Sequence, residues 1–218
     1  GYEFKVYPNE ELNKSISQRD INSIQEDADH NLWLATSGGL YRFVRDTEKF
    51  VRIPIEGIKF TSSLYPANNN KLWLTTDEGI KILDCKTGLV SDFISHEHSG
   101  MYVHTLCKGR NDVLWSGFRR GIRCFDAKDG RPLPVPPALA NQLNVPGIRI
   151  FSIKEDIDGD LWVGTESSGL FWYKRSTGQC INLSHSNDSP TGLLSNFVKD
   201  VFVNSPDEIW VGTRDGLS

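Results

Sequence analysis

Leu161-Trp162-Val163-Gly164-Thr165-Glu166-Ser167-Ser168-Gly169-Leu170 is the stretch on which the fold of this 218-residue chain turns. Within ten residues it holds a large indole, a small residue two places on, and a glycine just ahead of a leucine. The same wording recurs in Leu32-Trp33-Leu34-Ala35-Thr36, Leu72-Trp73-Leu74-Thr75-Thr76, Leu114-Trp115-Ser116-Gly117-Phe118 and Ile209-Trp210-Val211-Gly212-Thr213. Each copy is followed by its own glycine and aliphatic residue, at Gly39-Leu40, Gly79-Ile80, Gly121-Ile122 and Gly216-Leu217. Trp33, Trp73, Trp115, Trp162 and Trp210 stand 40, 42, 47 and 48 residues apart. A period of that length marks a repeat architecture and takes precedence over any local reading.

Working outward from the tryptophan, each unit resolves into four short strands. Ahead of it lies an alternating segment such as Ile21-Asn22-Ser23-Ile24, Val103-His104-Thr105-Leu106 or Ile150-Phe151-Ser152-Ile153. In the fourth unit the pattern predicts strands over residues 150–154, 161–165, 170–173 and near 179–183, separated by turn-forming clusters. Four-stranded units of 40 to 48 residues repeated in series predict an all-β fold, a β-propeller of four-stranded blades. In that geometry the indole fills the wedge between blades, and the small residue two places later admits the next backbone. The glycine before the third strand permits the positive φ of a tight hairpin. The whole of residues 1–218 reads as one propeller domain or part of one.

Composition agrees. Six tryptophans against one methionine, with 19 glycines and 10 prolines, suit strands and turns better than long helices. With 28 acidic and 24 basic residues the net charge is −4, no electrostatic footprint for phosphate backbones, so nucleic acid is not expected as a partner. No run approaches the roughly 18 apolar residues of a membrane helix. Cys85, Cys107, Cys124 and Cys180 have neither zinc-site spacing nor the density of a disulfide scaffold, and read as small apolar residues.

The motif Asp-x-x-Gly-x-Leu-Trp-hydrophobic-Gly-Thr, then two or three residues and Gly-Leu, resembles the two-component-regulator propeller repeat. The fourth and fifth units match best, and the resemblance runs from about Ile21 to the C-terminus. Departures are Ala35 and Thr75 for the glycine, Phe118 for the threonine, and Asn68-Asn69-Asn70 or Gly109-Arg110-Asn111 for the acidic turn. The resemblance implies the exported sensor region of hybrid two-component systems in glycan-degrading gut bacteria. There, propellers recognise oligosaccharides and precede a β-sandwich, a membrane helix and a histidine kinase. It implies a periplasmic location in an inner-membrane-anchored sensor, with a second propeller and other domains of the parent chain as partners, and a possible homodimer. Since the family usually has seven blades, a fragment of a seven-bladed propeller is expected.

Asp156-x-Asp158-x-Asp160 and Asp27-x-Asp29-x-Asn31 imitate the opening of a calcium loop, but the glycine at position six and the glutamate at position twelve are missing. These acids are expected to be solvated turn residues; no metal and no cofactor is expected. Glu26, Asp27, Glu155 and Asp156 fall at equivalent places in separate units, unlike the converging carboxylate pair of a glycosidase. No Gly-x-Ser-x-Gly accompanies the five histidines. No catalytic residues are assigned. The triplets at Asn13 and Asn182 are expected chance matches to the glycosylation signal.

Three links between units are long, residues 91–101, 127–146 and 184–196, and long links are more often functional. In a propeller they emerge on the same face as the hairpins that follow the tryptophan strand. That face is expected to gather Asp77, Glu78, Arg119, Arg120, Glu166, Arg214 and Asp215. Arg119-Arg120 breaks the repeat without benefit to the scaffold. The ligand candidates are Arg119, Arg120, His96, Glu166, Arg214 and Tyr102, with an acidic oligosaccharide suiting the guanidinium forks. Trp172 reads as inter-blade core, and His96, His98 and His104 as candidates for pH sensitivity only by residue type. The leading expectation is a non-catalytic sensor. A protein-interaction propeller without a small ligand and a glycan-acting hydrolase are the alternatives.

Overall fold

Antiparallel hairpins form wherever the alternating segments meet a turn cluster. The computed structural model of the protein describes residues 20–58, 61–95, 103–186, 192–205 and 208–218. Blade 1 consists of β1 (Ile21–Glu26), β2 (Leu32–Thr36), β3 (Gly39–Val44) and β4 (Lys49–Ile53). Blade 2 consists of β5 (Thr61–Pro66), β6 (Lys71–Thr76), β7 (Gly79–Asp84) and β8 (Val90–Ser95). Blade 3 holds β9 (Val103–Lys108), β10 (Val113–Phe118), β11 (Gly121–Asp126) and the short β12 (Pro132–Leu133), and a helix, α1 (Pro137–Leu143), follows it. Blade 4 holds β13 (Ile150–Glu155), β14 (Leu161–Thr165), β15 (Leu170–Lys174) and β16 (Gln179–Leu183). In blade 5 the described strands are β17 (Val198–Ser205), β18 (Glu208–Thr213) and β19 (Gly216–Leu217). Within every sheet, sequence neighbours are hydrogen-bonded neighbours, as a meander requires.

The chain divides into two compact units at Phe93 and Ile94. In the N-terminal unit Trp33, Ala35 and Leu40 of blade 1 pack with Leu64, Leu72, Leu74 and Leu83 of blade 2. In the C-terminal unit Trp115 and Ile122 of blade 3 pack with Ile150, Ile153, Leu161 and Val163 of blade 4. Trp162 and Leu170 of blade 4 in turn meet Val198, Val201 and Val211 of blade 5. The wedge role of the repeat tryptophan therefore holds for Trp33, Trp115 and Trp162, which are 0, 3 and 6% exposed, and Trp73 is likewise buried at 1%. Trp210 departs from it. That residue is 43% exposed, beside exposed Phe202 and Leu217.

The small residue two places after the tryptophan leaves room for the next blade, as in blade 4. A Cβ on Gly164 would lie 2.6 Å from Val198 Cγ1 and 3.3 Å from Val198 O, so the space admits both the side chain and the backbone of the residue that opens the next blade. At the hairpin that follows, Gly169 adopts φ +78 with Leu183 O only 2.3 Å from a hypothetical Cβ, and a side chain would be excluded on both counts.

Residues 127–146, expected as a plain long link, instead complete the sheet of blade 3 and fold into α1. Pro137 opens the helix and its missing N–H costs nothing there. Leu139 and Leu143, one turn apart, are fully buried against blades 3 and 4. The four cysteines are free thiols. Burial, reinforced by Asp27 and Asp84, pushes Cys85 up to about 12; burial likewise pushes Cys107, Cys124 and Cys180 up to about 11. Trp172 is half-buried and stacked on Trp162 at 4.8 Å between ring centroids. Among the described residues no helix is long and apolar enough to cross a membrane.

Candidate functional site

At the turn between the first two strands, the leading acids Asp27 and Asp156 are scaffold rather than solvated surface, which corrects the expectation from sequence, whereas Asp29 and Asp158 are exposed as expected. Asp27 and Asp156 are buried. Trp33 Nε1 donates to Asp27 Oδ2 at 2.8 Å and Trp162 Nε1 to Asp156 Oδ2 at 2.9 Å. The other carboxylate oxygen takes backbone N–H groups of the turn, from Asp29 and Asn31 in blade 1 and from Asp158 and Asp160 in blade 4. Burial pushes the Asp27 carboxyl up, but hydrogen bonds from Trp33, Asn31 and Asp29 outweigh it and hold it below the usual range. An inter-strand turn offered the sequence a solvent-facing acid; the acceptor-starved indole six residues later recruits it instead.

Blades 2 and 3 lack that aspartate. Ala67 and Gly109 stand in its place, each closing the same turn through its backbone N–H, to Lys71 O and Val113 O. In blade 3 the vacant space is taken from blade 4. Glu155 Oε2 accepts Trp115 Nε1 at 3.2 Å and Glu155 Oε1 accepts the Arg110 N–H at 2.9 Å. A Cβ on Gly109 would lie 2.1 Å from Glu155 Oε2. In blade 2 Trp73 Nε1 is buried without an acceptor among the described residues. An open depression of about 520 Å³ adjoins this end of blades 4 and 5, lined by Glu155, Asp156, Ile157, Val203, Asn204 and Ser205. Its two buried carboxylates are already committed to indoles.

The opposite strand ends carry the non-repeating residues. In every blade the first strand is bulged directly after its first residue, which leaves Asn22, Ser62, His104, Phe151 and Lys199 outside the ladder. Such bulges re-aim a side chain. A second repeated contact lies beside them: the N–H after the tryptophan strand donates to the carbonyl just before the first strand, Ser37 to Asp20, Glu166 to Arg149 and Arg214 to Phe197. The scaffold is the same in each case, whereas the side chains differ. Arg149 Nη1 pairs with Glu166 Oε1 at 2.8 Å, and the Arg214 guanidinium lies 4.5 Å above the ring of Phe197.

Aromatic rings link these pairs across the C-terminal unit. His104 meets Phe151 edge-on at 5.5 Å, and Phe151 meets Phe197 at 5.4 Å. His104 Nε2 is buried without a partner among the described residues. Burial, and then the charge of Arg149 and Arg119 against an opposing Glu166, holds the imidazole below its usual value. Arg119 and Arg120 form the exposed tip of the β10–β11 hairpin. Asn196 ties this end together, its Oδ1 accepting the His185 N–H at 2.7 Å and its carbonyl the Gly169 N–H.

Of the residues expected at the site, Arg119, Glu166 and Arg214 occupy one repeat position, the residue after the tryptophan strand. Asp77 and Glu78 belong to the N-terminal unit. His96, His98, Tyr102, Asn13 and residues 2–7 lie outside the described residues. Arg149, Phe151 and Phe197 were missed. The signal that finds them is the repeat itself: Arg149 and Phe197 align with Tyr102 immediately before the first strand, and Phe151 aligns with His104 at the bulge.

Residues 15–38 and 144–167 match the family model of the two component regulator propeller. The two matches together cover about a fifth of the chain. One regulator propeller match contains the bulge of blade 1 and Trp33, the other Arg149, Phe151 and Trp162. A curated relative, Histidine kinase P4 of Formosa agariphila, is 29% identical over 111 residues, 50% of this chain and 8% of that protein. The extracellular domain of a hybrid two component system from B. thetaiotaomicron is 20% identical with a TM-score of 0.76, covering 92% of this chain and 27% of that one. A streptogramin B lyase also shares the fold, 13% identical with a TM-score of 0.68 over 90% of this chain and 63% of its own. These structural likenesses establish a propeller fold for the regulator repeats. The chain spans a small share of the kinase and about a quarter of the hybrid sensor domain.

Proposed function

We propose that this chain is one propeller, or part of one, in the periplasmic sensing region of an inner-membrane-anchored hybrid two-component regulator, where it binds an oligosaccharide or relays its binding without chemistry of its own. One observation carries the reading. Regulator propeller repeats supply a regular scaffold, and at one end of the blades that scaffold presents different side chains at structurally identical positions, Arg149 with Glu166 and Phe197 with Arg214. A scaffold alone would keep the repeat, so departures that leave the backbone hydrogen bond intact point to a surface used for recognition. The names of the histidine kinase relative and of the hybrid sensor domain support the signalling context. A second propeller and further domains of the parent chain are the partners this reading implies.

A glycan array followed by calorimetry tests it. Saturable binding of a defined oligosaccharide with no turnover is the expected result, and release of reducing sugar would overturn it. The exposed apolar face of Phe202, Trp210 and Leu217 favours a second reading, an interaction propeller without a small ligand. Binding confined to a protein partner, with no glycan retained on the array, would favour that one.

A further inference from the structure

We propose that Phe151, Phe197 and Arg214 form a shelf for a carboxylate-bearing sugar, a uronic acid unit. The inference rests on the sensor reading and adds the place and class of the ligand. Two half-buried rings stand 5.4 Å apart at a tilt of 41°, Arg214 lying over that of Phe197, and sugar C–H groups stack on aromatic rings of this kind. The Arg214 guanidinium is exposed, lies over Phe197 at 4.5 Å, and pairs with no carboxylate among the described residues. Stacking fixes the plane of the fork and leaves its edge free for a bidentate carboxylate.

The neighbouring pair makes the charge argument. Blade 4 answers Arg149 with Glu166 at the position where blade 5 carries Arg214, so the blade 4 pair is neutral and the blade 5 pair keeps a cation. Arg119, exposed on the β10–β11 hairpin two blades away and close enough to His104 to depress its protonation, adds a second positive charge to this end of the blades. Asp215 beside Arg214 is the competing carboxylate, exposed to solvent. The Phe151 ring owes its position to the bulge at the start of β13, a device found in all five blades but filled with a phenyl ring only here.

Calorimetric titration of the full chain with a galacturonic acid trisaccharide, and with its methyl ester, tests the shelf, because esterification removes the charge and keeps the ring stereochemistry. The acid is expected to bind at least tenfold tighter than the ester. Arg214→Gln should abolish that preference, Arg214→Lys should restore part of it, and Phe197→Ala should weaken both ligands, with circular dichroism unchanged. Equal affinity for acid and ester, absence of heat with the acid, or unchanged acid affinity in both Arg214→Gln and Phe197→Ala would overturn the shelf. If a different glycan from the array binds and these variants leave it untouched, the shelf falls while the sensor reading stands; if no glycan binds, both fall.

Discussion

An indole buried between sheets needs an acceptor for its N–H, and at the residue scale this need explains the acidic turn of the repeat. Asp27 and Asp156 supply it from six residues upstream, Glu155 supplies it to Trp115 from the neighbouring blade, and Trp73 goes without among the described residues. Ala67→Asp should therefore stabilise the protein by about 1 kcal/mol, the net worth of a hydrogen bond to a previously unpaired group. Urea denaturation midpoints of parent and variant check it, and a lower midpoint in the variant would count against the acceptor argument. His104 offers a pH test of the other end. Its folded imidazole is held below the unfolded value, by burial first and by Arg149 and Arg119 next. The unfolded chain then binds the extra proton, and stability falls as pH drops from about 6.5 toward the folded value. Between pH 7.5 and 5.5 the parent midpoint should fall further than that of His104→Phe; parallel curves would show that His104 is not the titrating group. The indole-to-aspartate bond was not legible in sequence because turn chemistry alone accounts for Asp, and only packing says which way its carboxylate faces.

At the scale of the element, each hairpin is set by local chemistry and each blade by its neighbour. Trp162 bridges β14 to the valines of β17 and β18, so Trp162→Ala should cost about 3–5 kcal/mol, the range for deleting a buried large aromatic. Trp210 occupies the same repeat position on β18 but is 43% exposed, and Trp210→Ala should stay within about 1 kcal/mol of the parent. Thermal and urea unfolding of the two variants compare them directly, and equal losses would contradict the difference in packing. The strands of blade 4 were readable almost to the residue, since alternation and turn clusters are local. Helix α1 was not. Seven residues with two prolines nearby carry too little periodicity, and Leu139 and Leu143 are helical because blades 3 and 4 offer a surface for them. The bulge in every first strand escaped notice for a related reason, since one unpaired residue leaves the apolar pattern on both sides of it intact.

For the whole molecule, the uncovered face of blade 5 sets the solution behaviour. Phe202, Trp210 and Leu217 are 62, 43 and 60% exposed, and sheet faces and edges of this kind invite association. The chain should sediment as a concentration-dependent mixture, and Phe202→Glu should shift it toward monomer; a monodisperse monomer at high concentration would show that the face is not adhesive. The repeat of Trp33, Trp73, Trp115, Trp162 and Trp210 determined from sequence alone the all-β class, the number of units and the place of nearly every strand, because a periodic apolar pattern can be buried in few ways. Arg119 was legible too, as an exception to a period, and Glu166 and Arg214 as residues of the same expected face. Only the tertiary structure decided that Asp27 and Asp156 face inward, that Glu155 crosses to Trp115, and that Arg149, Phe151 and Phe197 stand beside those residues. The first depends on the packing of an indole six residues on and the others on contacts across a hairpin or between blades, and no local pattern encodes which neighbour a side chain meets.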